Sequence, residues 1–165
     1  MIPARPSERT GFEPRYRPCV GIVLANPEGL VFAGRRADRP EAAWQMPQGG
    51  IDEGEDAATA ALREIEEETS LAPPLARIER VAEGATFYDV PPGLLPAHWG
   101  GRYRGQAITW ALLRFLGRDA DVAVATAHPE FSDWRWAPLP ELVEGIVAWK
   151  RTAYARAVEE FGERP

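Results

Sequence analysis

Residues 63–69 read Arg-Glu-Ile-Glu-Glu-Glu-Thr, and this segment limits the fold of the chain more than any other. From Glu55 to Thr69 there are strong helix formers and neither Gly nor Pro, so the segment is predicted to be a helix. A helical residue advances by roughly 100°, which brings Glu64, Glu67 and Glu68 within one arc of about 100° and sends Glu66 elsewhere. Ala58, Ala61, Leu62 and Ile65 form a separate stripe that can dock on a sheet. Ala57 and Ala60 fall on the acid face, where their small size is expected to leave room for a ligand. No Lys occurs between Glu41 and Leu71 to pair with these acids. Three like charges this close repel one another unless cations neutralise them. Hard divalent ions such as Mg²⁺ and Mn²⁺ suit that task, because they prefer carboxylate and carbonyl oxygens. A plain solvated acidic face is the competing reading of the helix by itself.

The flanking sequence predicts an α/β or α+β sandwich, a mixed sheet between helices. Val20–Leu24 and Leu30–Arg36 are two short apolar runs on either side of the turn signal Asn26-Pro27-Glu28-Gly29, and together they read as a β-hairpin. The Gly- and Pro-rich stretch Trp44-Gln45-Met46-Pro47-Gln48-Gly49-Gly50 precedes the acidic helix. Ile78–Phe87, Gln106–Leu116 and Trp134–Trp136 are strand candidates, the last with both tryptophans on one side. Leu139–Gly145 reads as a helical turn. Ile146, Trp149, Ala153, Ala157, Val158 and Phe161 recur at the spacing of an amphipathic terminal helix. Met1 to Arg15, rich in Pro, Arg and Glu, is expected to be a flexible tail, leaving a single domain over residues 16–165.

Composition narrows the function classes. A net charge of -6 argues against stable binding along duplex DNA, which requires a basic stripe. Neither a membrane-spanning run nor a signal peptide is apparent, so the cytoplasm is the expected location. The one cysteine, Cys19, cannot form an internal disulfide and lies in the apolar run CVGIVL, as a buried packing residue would. Charge balance identifies no protein partner.

The spacing around the acidic helix carries more information. Gly49, five residues, Glu55, seven residues, Arg63-Glu64-Ile65, one residue, Glu67-Glu68, one residue and Ser70-Leu71 resemble the Nudix box. The only departure is Ser70, where Gly is usual; it falls at the helix end, where a left-handed residue is needed, and puts the shape of that turn in doubt. The resemblance implies the Nudix fold and hydrolysis of a phosphoanhydride. It implies that Glu64, Glu67, Glu68 and the Gly49 carbonyl bind Mg²⁺ or Mn²⁺, while Glu55 and Arg63 pair to brace loop against helix. Such ions would neutralise phosphate oxygens and lower the pKa of a water, with Glu130 of His128-Pro129-Glu130-Phe131 as the candidate general base. His128 itself reads as a surface loop residue.

Tyr16-Arg17-Pro18, Val20-Gly21-Ile22-Val23, the Trp44–Gly50 stretch, Gly105-Gln106 and Trp149-Lys150-Arg151 further resemble the subgroup of RNA pyrophosphohydrolases and diadenosine polyphosphate hydrolases. That resemblance implies removal of pyrophosphate from a 5′-triphosphate RNA end, leaving a 5′-monophosphate and promoting RNA decay. The alternative is cleavage of diadenosine tetraphosphate to ATP and AMP. A catalytically inactive nucleotide-binding Nudix module is a further alternative, disfavoured because every acid of the box is present. Arg17, Arg35, Arg36 and Lys150 are candidate phosphate contacts, and Tyr88 and Trp149 are candidate stacking partners for a base. Ala107 and Thr109 stand where some relatives carry lysines, which lowers the local positive charge. Trp44, Trp110, Trp134 and Trp136 read as core or loop anchors.

Overall fold

The computed structural model describes residues 15–39 and 41–165. Along these residues run β1 (Arg15–Ala25), β2 (Val31–Arg36), β3 (Gln48–Gly50), α1 (Ala57–Thr69), β4 (Ala76–Val81), β5 (Thr86–Asp89), β6 (Tyr103–Phe115), β7 (Phe131–Ala137), α2 (Leu139–Gly145) and α3 (Arg151–Phe161). The main sheet order is β4-β6-β1-β2-β7, with β3 added to β1 and β5 to β6. The expected tail over residues 1–15 lies almost wholly outside the described residues.

Burial on both faces explains the unbroken apolar run of β1, which lies parallel to β6 at the centre of the sheet. Val20, Ile22 and Leu24 face α1 together with Ala111, Leu113 and Phe115 of β6. Cys19, Val23 and Ala25 face α2 and α3 with Ile108, Trp110 and Leu112. Cys19 is buried as expected, and burial pushes its thiol up to about 12. Trp134 and Trp136 do share one side of β7, where Trp134 stacks on Phe32 at 5.6 Å and Trp136 packs against Phe115 at 5.0 Å.

The expected hairpin is real but brief. Asn26 Oδ1 accepts from the amides of Glu28 and Leu30, each at 3.0 Å, and closes the turn. β1 and β2 then pair only at Ala25 and Val31. Beyond that point residues 45–50 occupy the space between the strands. Gln45 bridges Gly34 of β2, and β3 pairs antiparallel with β1 at Gly21, Val20 and Cys19. The Gly- and Pro-rich stretch is therefore partly a strand, held on both sides by backbone bonds.

Two predicted boundaries need correction. The strand expected over Ile78–Phe87 is two strands, broken at Gly84, whose φ of +76° favours glycine. β4 and β5 pair one after the other along β6. The terminal helix begins at Arg151 and not at Ile146, because Ile146 and Val147 are extended, with ψ of 155° and 144°. That break leaves Trp149 and Lys150 on a tight 3-10 turn. Periodicity in the sequence could not show it, since both sides of the break bury apolar residues against the same face.

Tyr154 of α3 is fully buried, and its hydroxyl accepts the Met46 amide at 2.9 Å, tying the inserted loop to the helix layer. Tyr154→Phe would leave that amide without an acceptor, at a cost of about 1–3 kcal/mol. A midpoint lowered by roughly 3–10 °C in thermal unfolding is the expected result; an unchanged midpoint would show that the tie contributes nothing.

Candidate active site

Asp56 caps α1 by accepting the Thr59 amide at 2.7 Å. At the other end Ser70 takes the left-handed conformation, with φ of 67°. The turn therefore keeps the shape that glycine would give it. Backbone strain of about 1 kcal/mol is offset where the Ser70 hydroxyl donates to the Ala123 carbonyl at 3.0 Å. The Ala123 amide donates to Thr69 O at 2.9 Å, so the segment after β6 is fastened to the end of α1. Thr126, Ala127, His128 and Glu130 then line a cleft of about 640 Å³ with Glu64, Glu66, Glu67, Glu68 and Ser70.

The acid face is not separate from the docking face, contrary to the simple helical projection. Ala60 is wholly buried with Ala61 and Ile65, so it packs in the core and leaves no open space. The reason is that α1 docks along an arc that includes residue 68 as well as residues 61 and 65. Glu68 is consequently 7% exposed. The Glu64 side chain is 13% exposed and that of Glu67 is 59%. Glu66 is exposed and borders the cleft's outer rim, so it does not point wholly elsewhere.

Arg63 braces the site. Its Nε and Nη2 donate to the two oxygens of Glu55, both at 2.9 Å, and Nη2 also donates to the Gly50 carbonyl at 2.8 Å. The Glu55 pairing expected from the resemblance is present, and Glu55 falls to about 2 because Arg63 binds it. Arg63 also donates to Glu64 at 2.8 Å, which spacing alone did not suggest. A Cβ on Gly49 would overlap the Glu64 carboxylate, so glycine is required for the loop to lie this close.

Burial raises the Glu64 carboxyl above its ordinary range, with Arg63 opposing the shift. Glu68 is raised well above that range, first by burial and then by the charges of Glu64 and Glu130. Glu68 Oε2 is buried without a hydrogen-bond partner. Two acids made costly to ionise, one with an unused oxygen, are a donor set suited to a hard cation. They do not form a finished coordination sphere: among the described residues no group of three acid, histidine or cysteine side chains is already gathered for an ion.

Across the inserted loop lies a polar network. Gln48 Nε2 donates to Tyr88 Oη at 3.1 Å and to Gln106 Oε1 at 2.8 Å, and Tyr88 also donates to Gln106. Gln48 Oε1 is thereby turned toward Lys150 Nζ at 3.5 Å. Lys150 is nearly buried, and its ammonium is pushed down to about 8 by burial and by the charge of Arg36. Trp149 packs against Tyr88 at 5.8 Å and stays partly exposed. Tyr88 is 6% exposed with its hydroxyl engaged, so it supports Trp149 and offers little open ring face. Arg17 lies against Gly50, where a Cβ would overlap its guanidinium. Arg36 is held by Asp38 through bonds of 2.8 and 2.6 Å. Arg35 instead stacks on Trp44, 4.3 Å from the ring centroid.

Thus Glu64, Glu67, Glu68 and Glu130 share one cleft, while Arg17, Tyr88, Trp149 and Lys150 surround the adjoining network. The sequence reading missed Gln48 and Gln106 as a linked pair; their place in two motifs unexplained by catalysis was the available signal. His128 is an exposed loop residue, as expected, and its loop also forms part of the cleft wall.

Comparison with known proteins bears on the family and the fold. The NUDIX domain model matches residues 15–157. The chain is 53% identical over 146 residues to the RNA pyrophosphohydrolase of Roseobacter denitrificans, covering 88% of this chain and 91% of that one. It is 55% identical over 148 residues to that of Cereibacter sphaeroides strain KD131, covering 88% and 90%. Among solved structures, dihydroneopterin triphosphate pyrophosphohydrolase from E. coli superposes with a TM-score of 0.62 at 20% identity, covering 88% of this chain and 98% of that one. A C. elegans Ap4A hydrolase does so at 0.60 and 21%, covering 87% and 96%. At such identities the structural matches speak for the fold alone.

Glu68 favours its proton in the folded state, so the metal-free protein keeps that contribution below the ordinary carboxylate range and loses it as pH rises through the raised value. Glu68→Gln should therefore raise the thermal midpoint in a chelator at pH 8, by about 2–4 °C for each kcal/mol relieved. The same variant should lose the stabilisation that added Mn²⁺ gives the parent. A lower midpoint in chelator would contradict the electrostatic assignment.

Proposed function

Because the chain belongs to the Nudix family, we propose that it removes pyrophosphate from the 5′-triphosphate end of RNA and leaves a 5′-monophosphate, opening the RNA to decay. Support comes from the relatives of that name at more than half identity over about nine-tenths of both chains. One observation carries the reading: the inserted loop joins the carboxylate cleft, through Gly49, to the Gln48–Lys150 network with its partly open tryptophan. A triphosphate can lie along the cleft while the first base lies at the network. The cytoplasm is the compartment we assign, and no described helix is long and apolar enough to cross a membrane.

Glu64, Glu67, Glu68 and the Gly49 carbonyl would hold the divalent ions, Mg²⁺ or Mn²⁺. When bound, such ions neutralise phosphate oxygens and acidify a water. Arg63 fixes the rotamer of Glu64 and the position of the Gly50 carbonyl, so the ligands keep their spacing when substrate arrives. Glu130, on the opposite wall, takes the proton of the attacking water, a contribution of about 10²–10⁴ in rate. Arg17 and Lys150 draw phosphate oxygens toward the loop, and Arg36 does so by exchanging Asp38 for substrate. Trp149 presents its ring to the base.

Turnover of triphosphate RNA and of diadenosine tetraphosphate with Mg²⁺, compared as kcat/KM, tests the substrate. RNA should be favoured, and negligible pyrophosphate release from it would reject the proposal and leave dinucleoside polyphosphate hydrolysis as the reading. Glu67→Gln or Glu68→Gln should abolish turnover with the fold intact; full activity in both would contradict the site.

Lys150 gives a second check. Its lowered value means that the free enzyme loses this charge as pH rises through about 8. The parent's kcat/KM should fall above that pH, while Lys150→Met should be lower throughout and lack that limb. Identical profiles would remove Lys150 from phosphate binding.

A further inference from the structure

Three side-chain polar atoms among the described residues are buried without a hydrogen-bond partner: Glu68 Oε2, Arg35 Nε and Arg135 Nε. The first belongs to the carboxylate cleft. The other two flank one indole, with Arg35 Cζ 4.3 Å and Arg135 Cζ 4.9 Å from the Trp44 centroid. A cation over a ring at a half-exposed site contributes about 0.5–1 kcal/mol, whereas an orphaned buried N–H costs about 1–3 kcal/mol. Stacking alone therefore does not account for holding two guanidiniums in this way. No side-chain hydrogen bond or ion pair among the described residues uses the Arg35 guanidinium. Arg135 donates to Glu141 at 2.6 Å through Nη2, in a pair exposed on both sides that a stronger anion can replace.

The arrangement is joined to the inserted loop of the proposed site, where Gln45, next to Trp44, bridges Gly34, next to Arg35. Trp44 precedes Gly49 by five residues, a span of at most about 18 Å. Arg35 and Arg135 thus bring two positive charges to one indole beside the inserted loop, in a protein of net charge -6. Guanidiniums already held over an indole meet phosphate oxygens with less ordering left to lose than free surface arginines.

We infer that Arg35 and Arg135, clamped by Trp44, form a ledge for the internucleotide phosphates downstream of the first nucleotide, so that the enzyme selects an RNA strand over a dinucleoside polyphosphate. The inference rests on the RNA reading above. A dinucleoside polyphosphate has no downstream phosphates and gains nothing from the ledge. The ledge also supplies positive charge that Ala107 and Thr109 do not.

The test compares the full chain with Arg135→Gln and Arg35→Gln, with Mg²⁺, on triphosphate RNA of two and of eight nucleotides and on diadenosine tetraphosphate, over a range of NaCl. The parent should prefer the longer RNA by about tenfold in kcat/KM. Arg135→Gln should lose about fivefold on the longer RNA through KM, with unchanged rates on the dinucleotide and on diadenosine tetraphosphate. Its salt slope on the longer RNA should shrink by about 0.7, the change expected when one fewer phosphate of a single strand is neutralised. Arg35→Gln should lose at least as much on the longer RNA. Equal use of both lengths by the parent overturns the ledge alone. Equal losses by Arg135→Gln on all three substrates would make the clamp a loop anchor and also overturn it. No turnover of RNA of either length overturns the functional reading and the ledge with it.

Discussion

The guanidinium of Arg63 binds both oxygens of Glu55, one of Glu64 and the carbonyl of Gly50, and so joins two segments that the chain would otherwise leave free to slide. One segment is a glycine-rich loop wedged between two strands; the other is a helix carrying like charges. Neither is stable in its place alone. The loop needs its backbone groups satisfied on both sides, and the helix needs a counter-charge for the acids along its buried edge. A planar donor with several fixed N–H groups meets both needs, which a lysine could not.

Around that tie the molecule trades stability for function. Glu68 is placed on the docking arc of α1, where burial and its acidic neighbours disfavour ionisation. An apolar residue there would pack with Ala61 and Ile65 at no such cost. Lys150 shows the same logic with the opposite sign: burial and Arg36 make its charge costly until an anion arrives. The two ends of the site are thus oppositely poised, one for cations and the other for phosphate, with Gln48 and Gly49 adjacent on the strand between them.

How much was legible beforehand differs by element. The acidic helix, its bracing pair and α2 could be placed from residue types and spacing, because those signals act within a few turns of chain. The division of the Ile78–Phe87 strand and the break after Ile146 could not. Both depend on which partner lies alongside, and apolar residues continue across each boundary. Ser70 is an intermediate case: the sequence located the left-handed position, but only the Ala123 carbonyl, far along the chain, shows how serine is held there.

The sequence by itself determined the chemistry on offer: glutamates at helical spacing, a glycine before them and an arginine to brace them. It determined this because those features are local and a helix converts spacing directly into direction. Tertiary structure alone decided that Glu68 is buried while Glu67 is open, and that Glu130 and His128 face the acids across a cleft. It alone decided that Gln48, Tyr88, Gln106 and Lys150 meet, although they come from four separate elements. Such meetings follow from sheet order and from the wedge between β1 and β2, which long-range pairing sets and no short stretch of residues encodes.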